Sequence, residues 1–336
     1  MAVSLDDVAA RAGVSTATVS RALRGLPRVS AATRTRVEAA ARDLGYVASP
    51  AAAWLATGRT RNIGVVVPHV DRWFYGQVIA GAEGVLRQAG LDLLLYNLGG
   101  PDGRDRFFAE MPLRRRVDAV LLLAVPMSAG ERETLERLDV PIAAVGMEQP
   151  GMRGVGIDDT AAAETAMRHL ALLGHRDIAF IGAGSGTPLG FRVPMLRRAA
   201  YLRVRASLGR SENPDFDLDG DFTVAGGQAA MSRLLAGEQR PTAVFAASDE
   251  MAFGAMRALR KSGLRVPEDV SLIGFDDHEM ADLLDLTTIA QPVFAQGERA
   301  ARMLIAQLAG ETVPQEPVVL PTELLIRGST AALRPA

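Results

Sequence analysis

Arg11, Arg21, Arg24, Arg28, Arg34, Arg36, Arg42, Arg59 and Arg61 stand in the first 61 residues against only Asp6, Asp7, Glu38 and Asp43. Guanidinium groups at this density can neutralise phosphate oxygens or fork onto the acceptor edge of a base. The segment nets +5, and the remainder therefore nets −7 within a whole-chain charge of −2. A basic head on an acidic body suits a phosphate-binding module joined to something that does not bind nucleic acid, although a solvated charged face has the same composition.

Other chemistry is excluded residue by residue. The chain has no cysteine, so disulfide frameworks, thiolate zinc sites and cysteine nucleophiles are out of reach. His69, His169, His175 and His278 lack metal-ligand spacing; His169 and His175, six apart, do not share a helical face. Gly182-Ala183-Gly184-Ser185-Gly186 follows an apolar run but does not continue as G-x-G-x-x-G and is not in the first βαβ unit, so it reads as a cleft-lining loop. Ser185 has Ala183 and Thr187 where a nucleophile elbow needs glycines, and no phosphate-binding G-x-x-x-x-G-K-[ST] occurs. No catalytic constellation remains, so neither an enzyme nor a cofactor or metal is expected.

Local signals say how the basic head is built. Ser4-Leu5-Asp6-Asp7 fits a capping box that opens a helix, and Val8, Ala9 and Ala12 give it an apolar face. Gly13 permits a left-handed stop and Ser15 caps a second helix from Thr16 to Leu23, with Val14 and Val19 filling the corner. A third helix starts at Ser30 and runs through Leu44 to Gly45-Tyr46. Two short helices joined by a tight turn make a helix-turn-helix.

LDDVAARAGVSTATVSRAL followed by VSAATRTRVEAAARDLGY resembles the amino-terminal domain of the LacI/GalR family of bacterial repressors over nearly its full length. The resemblance implies that the second helix enters the major groove of double-stranded DNA and that Thr16, Ala17, Thr18, Ser20 and Arg21 are the candidate readers. Arg21 can donate a bidentate pair to guanine, Thr16 can hydrogen-bond a base edge, and Ala17 can touch a thymine methyl. Ser4, Ser15, Ser30, Thr33 and Tyr46 suit phosphate oxygens, and Leu5 joins the DNA-contacting set beside Ser4. For Tyr46, packing under the third helix stands as an equal alternative.

Residues 49–58 read as a short helix with Ser49 as cap, Pro50 in its first turn and Gly58 as its stop, too short to be stable alone. In the resembled family this hinge helix folds when two copies meet in the minor groove of a palindromic operator, and Leu55 falls on the wedging leucine. The match departs from the family here. Tyr46-Val47-Ala48-Ser49 replaces Tyr-x-Pro-Asn, and Ala53-Trp54 replaces a polar or basic residue and a small one. An apolar patch packing Trp54-Leu55 onto the core or a dimer mate is the alternative.

From Asn62 onward, short apolar runs alternate with helical stretches: 63–67, 91–96, 119–124, 142–145, 178–181, 243–247 and 270–275. Runs apolar at consecutive positions predict parallel strands buried on both faces and covered by helices, a doubly wound α/β architecture. The break near Gly154–Thr160 suggests two lobes. VGIDD, RHLALLGHRDIAFIGA, AASDEMAFGAMRALRKSGLRVPEDVSLIGFDD and LTTIAQP resemble the family core, which is similar to periplasmic sugar-binding proteins.

The expected fold is thus an all-α helix-turn-helix head on a two-lobed, periplasmic-binding-protein-like α/β core. Residues 1–48 form the DNA-binding domain, 49–60 the hinge and linker, and 61–336 the effector-binding and dimerisation core. The first lobe takes about 61–160 and 291–322, the second about 161–290 and 323–336.

The resemblance also implies a binding site for a small-molecule effector of the sugar class. Arg197 matches a ligand-gripping arginine and Asp276 an acceptor opposite it, a donor-only and acceptor-only pair that can clasp adjacent hydroxyls. Arg192, Ser248, Gln291 at the lobe crossing, and Asp71, Trp73 and Phe74 after the first strand complete the set. Structural alternatives stand beside these: Asp276-Asp277 as a cap, Arg197-Arg198 as a solvated helix face, and Trp73 and Phe74 as core. A homodimer on a palindromic operator, with no membrane partner, is the expected assembly. No run of ~18 apolar residues or signal-peptide pattern appears, so a cytoplasmic location is expected.

Overall fold

The computed structural model describes residues 3–46, 58–146, 152–183 and 192–333. The hinge reading, with Ser49, Pro50, Trp54 and Leu55, and the Gly184-Ser185-Gly186 loop lie outside the described residues. Two compact units, 1–60 and 61–336, divide the chain.

In the first unit, α1 (Leu5–Ala12), α2 (Thr16–Leu23) and α3 (Ala31–Leu44) start where short-range side-chain bonding dictates. Ser4 Oγ accepts from the Asp7 amide at 3.2 Å while the Ser4 amide donates to the Asp7 carboxylate at 2.8 Å, a reciprocal capping box. These bonds to the charged form hold the Asp7 carboxyl below its usual range. Ser15 and Ser30 accept from the Thr18 and Thr33 amides, each at 3.2 Å. α1 and α3 both end on left-handed glycines, Gly13 and Gly45, each at φ 65°.

Val8, Val19 and Val37, one from each helix, are fully buried and meet Ala9, Ala12, Ala22, Ala40 and Ala41 in one cluster. So small a core leaves little reserve. Val19→Ala removes two methylenes' worth of burial plus a cavity term, about 2 kcal/mol. Amide hydrogen exchange over residues 5–44 is expected to lose most of its protection in this variant while the second unit stays unchanged; equal protection in both proteins would rule this out.

The second unit contains two sheets. In the first the strand order is β11-β5-β4-β3-β1-β2: β1 Asn62–Val67, β2 Asp92–Asn97, β3 Ala119–Leu123, β4 Ile142–Val145, β5 Gly154–Gly156 and β11 Val318–Val319. In the second it is β12-β10-β9-β8-β6-β7: β6 Ile178–Gly182, β7 Asp217–Asp219, β8 Ala243–Ala246, β9 Ser271–Asp276, β10 Thr287–Ala290 and β12 Glu323–Leu325. Each of the seven apolar runs contains a strand. Two expectations are corrected. β2 is an edge strand exposed or half-buried along its length, because only β1 flanks it. β12 runs antiparallel to β10, so the second sheet is not purely parallel.

The chain passes from the first sheet to the second between β5 and helix Asp159–Leu172, returns after β10 at Gln291-Pro292, and passes over again between β11 and β12. After the second passage, helix Val293–Leu308 lies against Trp73–Gln88. Glycine makes that contact possible: a Cβ on Gly81 would sit 2.1 Å from Phe294 O, and one on Gly297 2.0 Å from Val78 O. Among the described residues, no helix is long and apolar enough to cross a membrane.

Candidate functional site

Parallel strands end together, and the loops after them converge on a cavity of about 400 Å³ in the second unit. His69 follows β1, Ala124 follows β3, Gly146 follows β4, Ala183 follows β6, Ser248 lies just beyond β8, and Asp276 ends β9. Phe74, Tyr75 and Phe222 supply aromatic wall, and Gln291 and Gln296 come from the crossing segment and the helix after it. Of the sequence-predicted residues, Phe74, Arg192, Arg197, Ser248, Asp276 and Gln291 line this space.

Asp71 and Trp73 do not. Asp71 is exposed, while the Trp73 ring stacks on His278 with centroids 4.8 Å apart and its indole N–H donates to Glu279.

Arg197 is not a solvated helix residue; it is 4% exposed. Its Nε donates to Asp159 Oδ1 at 2.8 Å, its Nη1 donates to the Ala247 carbonyl at 2.6 Å, and its guanidinium lies 3.5 Å from the Phe275 ring centroid. Asp276 stands beside it rather than across the space, 3.7 Å from Nη1 to Oδ1. Asp159 is thus the arginine's main partner within the protein, and both Arg197 and Asp276 lie on the cavity wall. The neighbouring Arg198 pairs with Asp217 and is much more exposed.

Asp276 is held at φ 118°, in backbone space that favours glycine. Its Oδ1 accepts from Gln291 Nε2 at 2.6 Å, and Gln291 Oε1 accepts from Gln296 Nε2 at 2.9 Å, an amide relay from the crossing to the carboxylate. Burial outweighs the attraction of Arg197 and pushes its pKa up to about 7. Asp277 pairs with Arg327 at 2.8 Å, and His278 caps helix Glu279–Leu283, so neither aspartate is merely a cap.

Ser248 accepts from the Met251 amide at 3.3 Å and caps helix Asp249–Lys261. Buried Asp249 accepts from Thr288 Oγ1 at 2.7 Å and the His278 amide at 2.8 Å, and burial raises its pKa well above the carboxylate range. Burial also raises Glu250 and the Tyr75 phenol, both on the cavity wall.

Sequence reasoning missed His69, Asp159, Glu250 and Gln296 on this wall. The acids of VGIDD and ASDEM were visible signals; nothing local marked Gln296. His175 is structural: buried between Thr242, Ser271 and the Ala331 carbonyl at 3.0, 3.1 and 3.0 Å, with its pKa lowered chiefly by burial.

In the first unit, Ala17 and Arg21 are exposed on α2, and Thr16, Thr18 and Ser20 are half-buried. Ser15 Oγ and Thr18 Oγ1 are 3.0 Å apart, as are Ser30 and Thr33 at 2.9 Å, so these hydroxyls serve the caps. Exposed Ser4 likewise serves its capping box, while Leu5 and Tyr46 are half-buried against the head core. The packing alternative for Tyr46 therefore has direct support. Arg34 and Arg36 donate to the Leu26 and Ala12 carbonyls at 3.0 and 2.9 Å, so part of the basic charge is used inside the head.

A helix-turn-helix head followed by a two-lobed α/β core with a cleft at its strand ends defines a DNA-binding regulator built on a ligand-receptor scaffold. Residues 4–49 match the family model described as bacterial regulatory proteins, lacI family, and residues 167–330 match the periplasmic binding protein-like domain. The HTH-type transcriptional repressor CytR of Escherichia coli (strain K12) is 36% identical over 99% of this chain and 97% of its own length. Among solved structures, the lac repressor dimer bound to operator and the anti-inducer ONPF is similar at TM-score 0.86 and 29% identity, covering 99% of this chain and 100% of that one. A CelR–cellobiose complex is similar at TM-score 0.71 and 32% identity, covering 97% and 99%. The chain belongs to the lacI family of bacterial regulatory proteins. It is a sequence-specific DNA-binding transcriptional regulator.

Proposed function

We propose that this regulator represses transcription in the cytoplasm as a homodimer on a palindromic operator, and that a sugar-class metabolite in the 400 Å³ cavity sets its operator affinity. Residues 1–48 act as the reading domain, 49–60 as hinge and linker, and 61–336 as the receptor and dimerisation core. Thr16, Ala17, Thr18, Ser20 and Arg21 read base edges; Ser4, Leu5, Ser15, Ser30, Thr33 and Tyr46 set the register on the backbone; Leu55 wedges the centre of the site. Phe74, Arg192, Arg197, Ser248, Asp276 and Gln291 contact the metabolite, with Asp159 holding the Arg197 guanidinium in place.

The observation that carries this reading is the cavity wall itself. Carboxylates, amides and a serine face aromatic rings at the carboxyl ends of parallel strands, a lining suited to hydroxyl groups and the apolar face of a sugar. The relatives' naming as transcriptional regulators supports a receptor rather than an enzyme.

Thermal shift against a panel of mono- and oligosaccharides, purines and nucleosides tests the ligand class, since a compound at 100 times its Kd should stabilise by ~2.7 kcal/mol. Electrophoretic mobility shift on palindromic DNA, with and without the hits, tests the coupling. Absence of sequence-specific binding under every condition would reject the reading. Arg21→Ala is expected to weaken operator binding about 5- to 150-fold per half-site contact and relax specificity at one base pair. Loss spread evenly over all sequences in a base-substitution series would instead place Arg21 on a phosphate.

A further inference from the structure

The lip of the cleft carries a set of contacts that ligand binding does not explain. Helix Trp73–Gln88 begins after Arg72, which makes no side-chain capping bond, whereas Ser128, Thr223 and Ser248 cap other helices of the core. A helix start without an acceptor leaves orphan amides. The first residue of that helix, Trp73, instead reaches the opposite lobe with its side chain. Its indole N–H donates to Glu279, and its ring stacks at 28° on His278, which meets Phe253 edge-on at 5.2 Å.

One residue earlier, Arg72 Nη2 lies 3.7 Å from Asp221 Oδ2. Asp221 and Phe222 are consecutive non-glycine residues in left-handed space, at φ 49° and 50°, and strain of that kind persists only where surrounding contacts over-determine it. Asp221, His278 and Glu279 all belong to the second-sheet lobe; Arg72 and Trp73 belong to the first.

We propose that Arg72-Trp73 is a clasp that holds the lobes together without ligand, and that Glu279 is a positioning residue that seats the Trp73 indole across the cleft. Opening the lobes breaks the indole's bond to Glu279, unstacks the ring from His278 and exposes it, so closure is a two-position choice rather than a continuous flexing. This goes beyond the sugar-receptor reading and does not depend on it.

The chain has two tryptophans, Trp54 and Trp73, so full-length protein carrying Trp54→Phe reports the clasp through a single indole. Acrylamide quenching of that emission is measured without ligand or DNA. Loss of the indole's hydrogen bond is expected to move the clasp about fivefold toward open; Glu279→Ala, at an exposed side chain, should therefore raise the quenching constant and red-shift the emission. Glu279→Gln, whose amide oxygen still accepts, should keep the parent values. Should Glu279→Ala fail to fold by circular dichroism, Arg72→Ala, which breaks the pair with Asp221, carries the same expected rise. Unchanged quenching in the folded variant, or equal shifts in Glu279→Ala and Glu279→Gln, would overturn the proposal. Because no ligand enters the assay, its failure is distinct from a failure of the receptor reading.

Discussion

Arg197→Ala is expected to destabilise the core by about 3–5 kcal/mol, because it leaves the Asp159 carboxylate buried and unpaired. Asp159→Ala should cost a similar amount by stranding the guanidinium. Arg198→Ala, breaking a more exposed pair, should change stability by less than about 1 kcal/mol. Urea unfolding of the three variants checks the order. Replacing both partners together, Arg197→Met with Asp159→Leu, separates structure from recognition. An apolar pair of similar volume should restore most of the stability, yet any ligand whose oxygens need the guanidinium should still not bind. Near-parent stability in Arg197→Ala would show that the buried pair is not what holds this wall, and ligand binding by the double variant would assign Arg197 a purely structural role.

Asp276 sets the second large effect. With its pKa at about 7 in the folded protein against 3.8 in an unfolded chain, it keeps its proton through a window in which the unfolded chain has lost it. The folded state binds more protons there, so this group's contribution to stability falls as pH rises from about 4 to 7 and then levels off. The shift corresponds to on the order of 4 kcal/mol at the top of the window. Asp276→Asn keeps an oxygen for Gln291 and removes the titration; it is expected to be more stable than the parent at pH 8 and to lose the slope.

Recognition should move the other way. The ionised carboxylate is the better acceptor for ligand hydroxyls, so affinity should fall roughly tenfold per pH unit below about pH 7 and flatten above it, with proton release on binding. Calorimetric titration with a sugar identified by thermal shift, in buffers of different ionisation enthalpy, measures both quantities. Affinity that stays level between about pH 5 and 8 would remove Asp276 from the ligand contacts. A variant that gains stability while losing binding would place Asp276 among residues held against the fold's own preference.

Much of the molecule was legible in its residues. Ser4, Ser15 and Ser30 start their helices as capping chemistry requires, and Gly13 and Gly45 end theirs. Seven apolar runs became seven strands. The missed strands, β5, β7, β10, β11 and β12, have two to four residues each, too short for a periodic pattern, and take their form from the neighbours they pair with. Part of the site was legible too, since six proposed contact residues reached one cavity. The resemblance to a known family supplied those positions; spacing alone did not.

Helix starts, helix stops and buried strands were determined by the sequence itself, because each depends on residues at most four positions apart or on a run of consecutive apolar side chains. The tertiary structure decided that Arg197 belongs to Asp159, 38 residues away, that Trp73 reaches Glu279 across 206, and that Asp276 holds a proton near neutral pH. Which acid a buried arginine meets, and how far a carboxylate is stripped of water, depend on where distant segments pack and how much solvent they exclude; no local pattern encodes either.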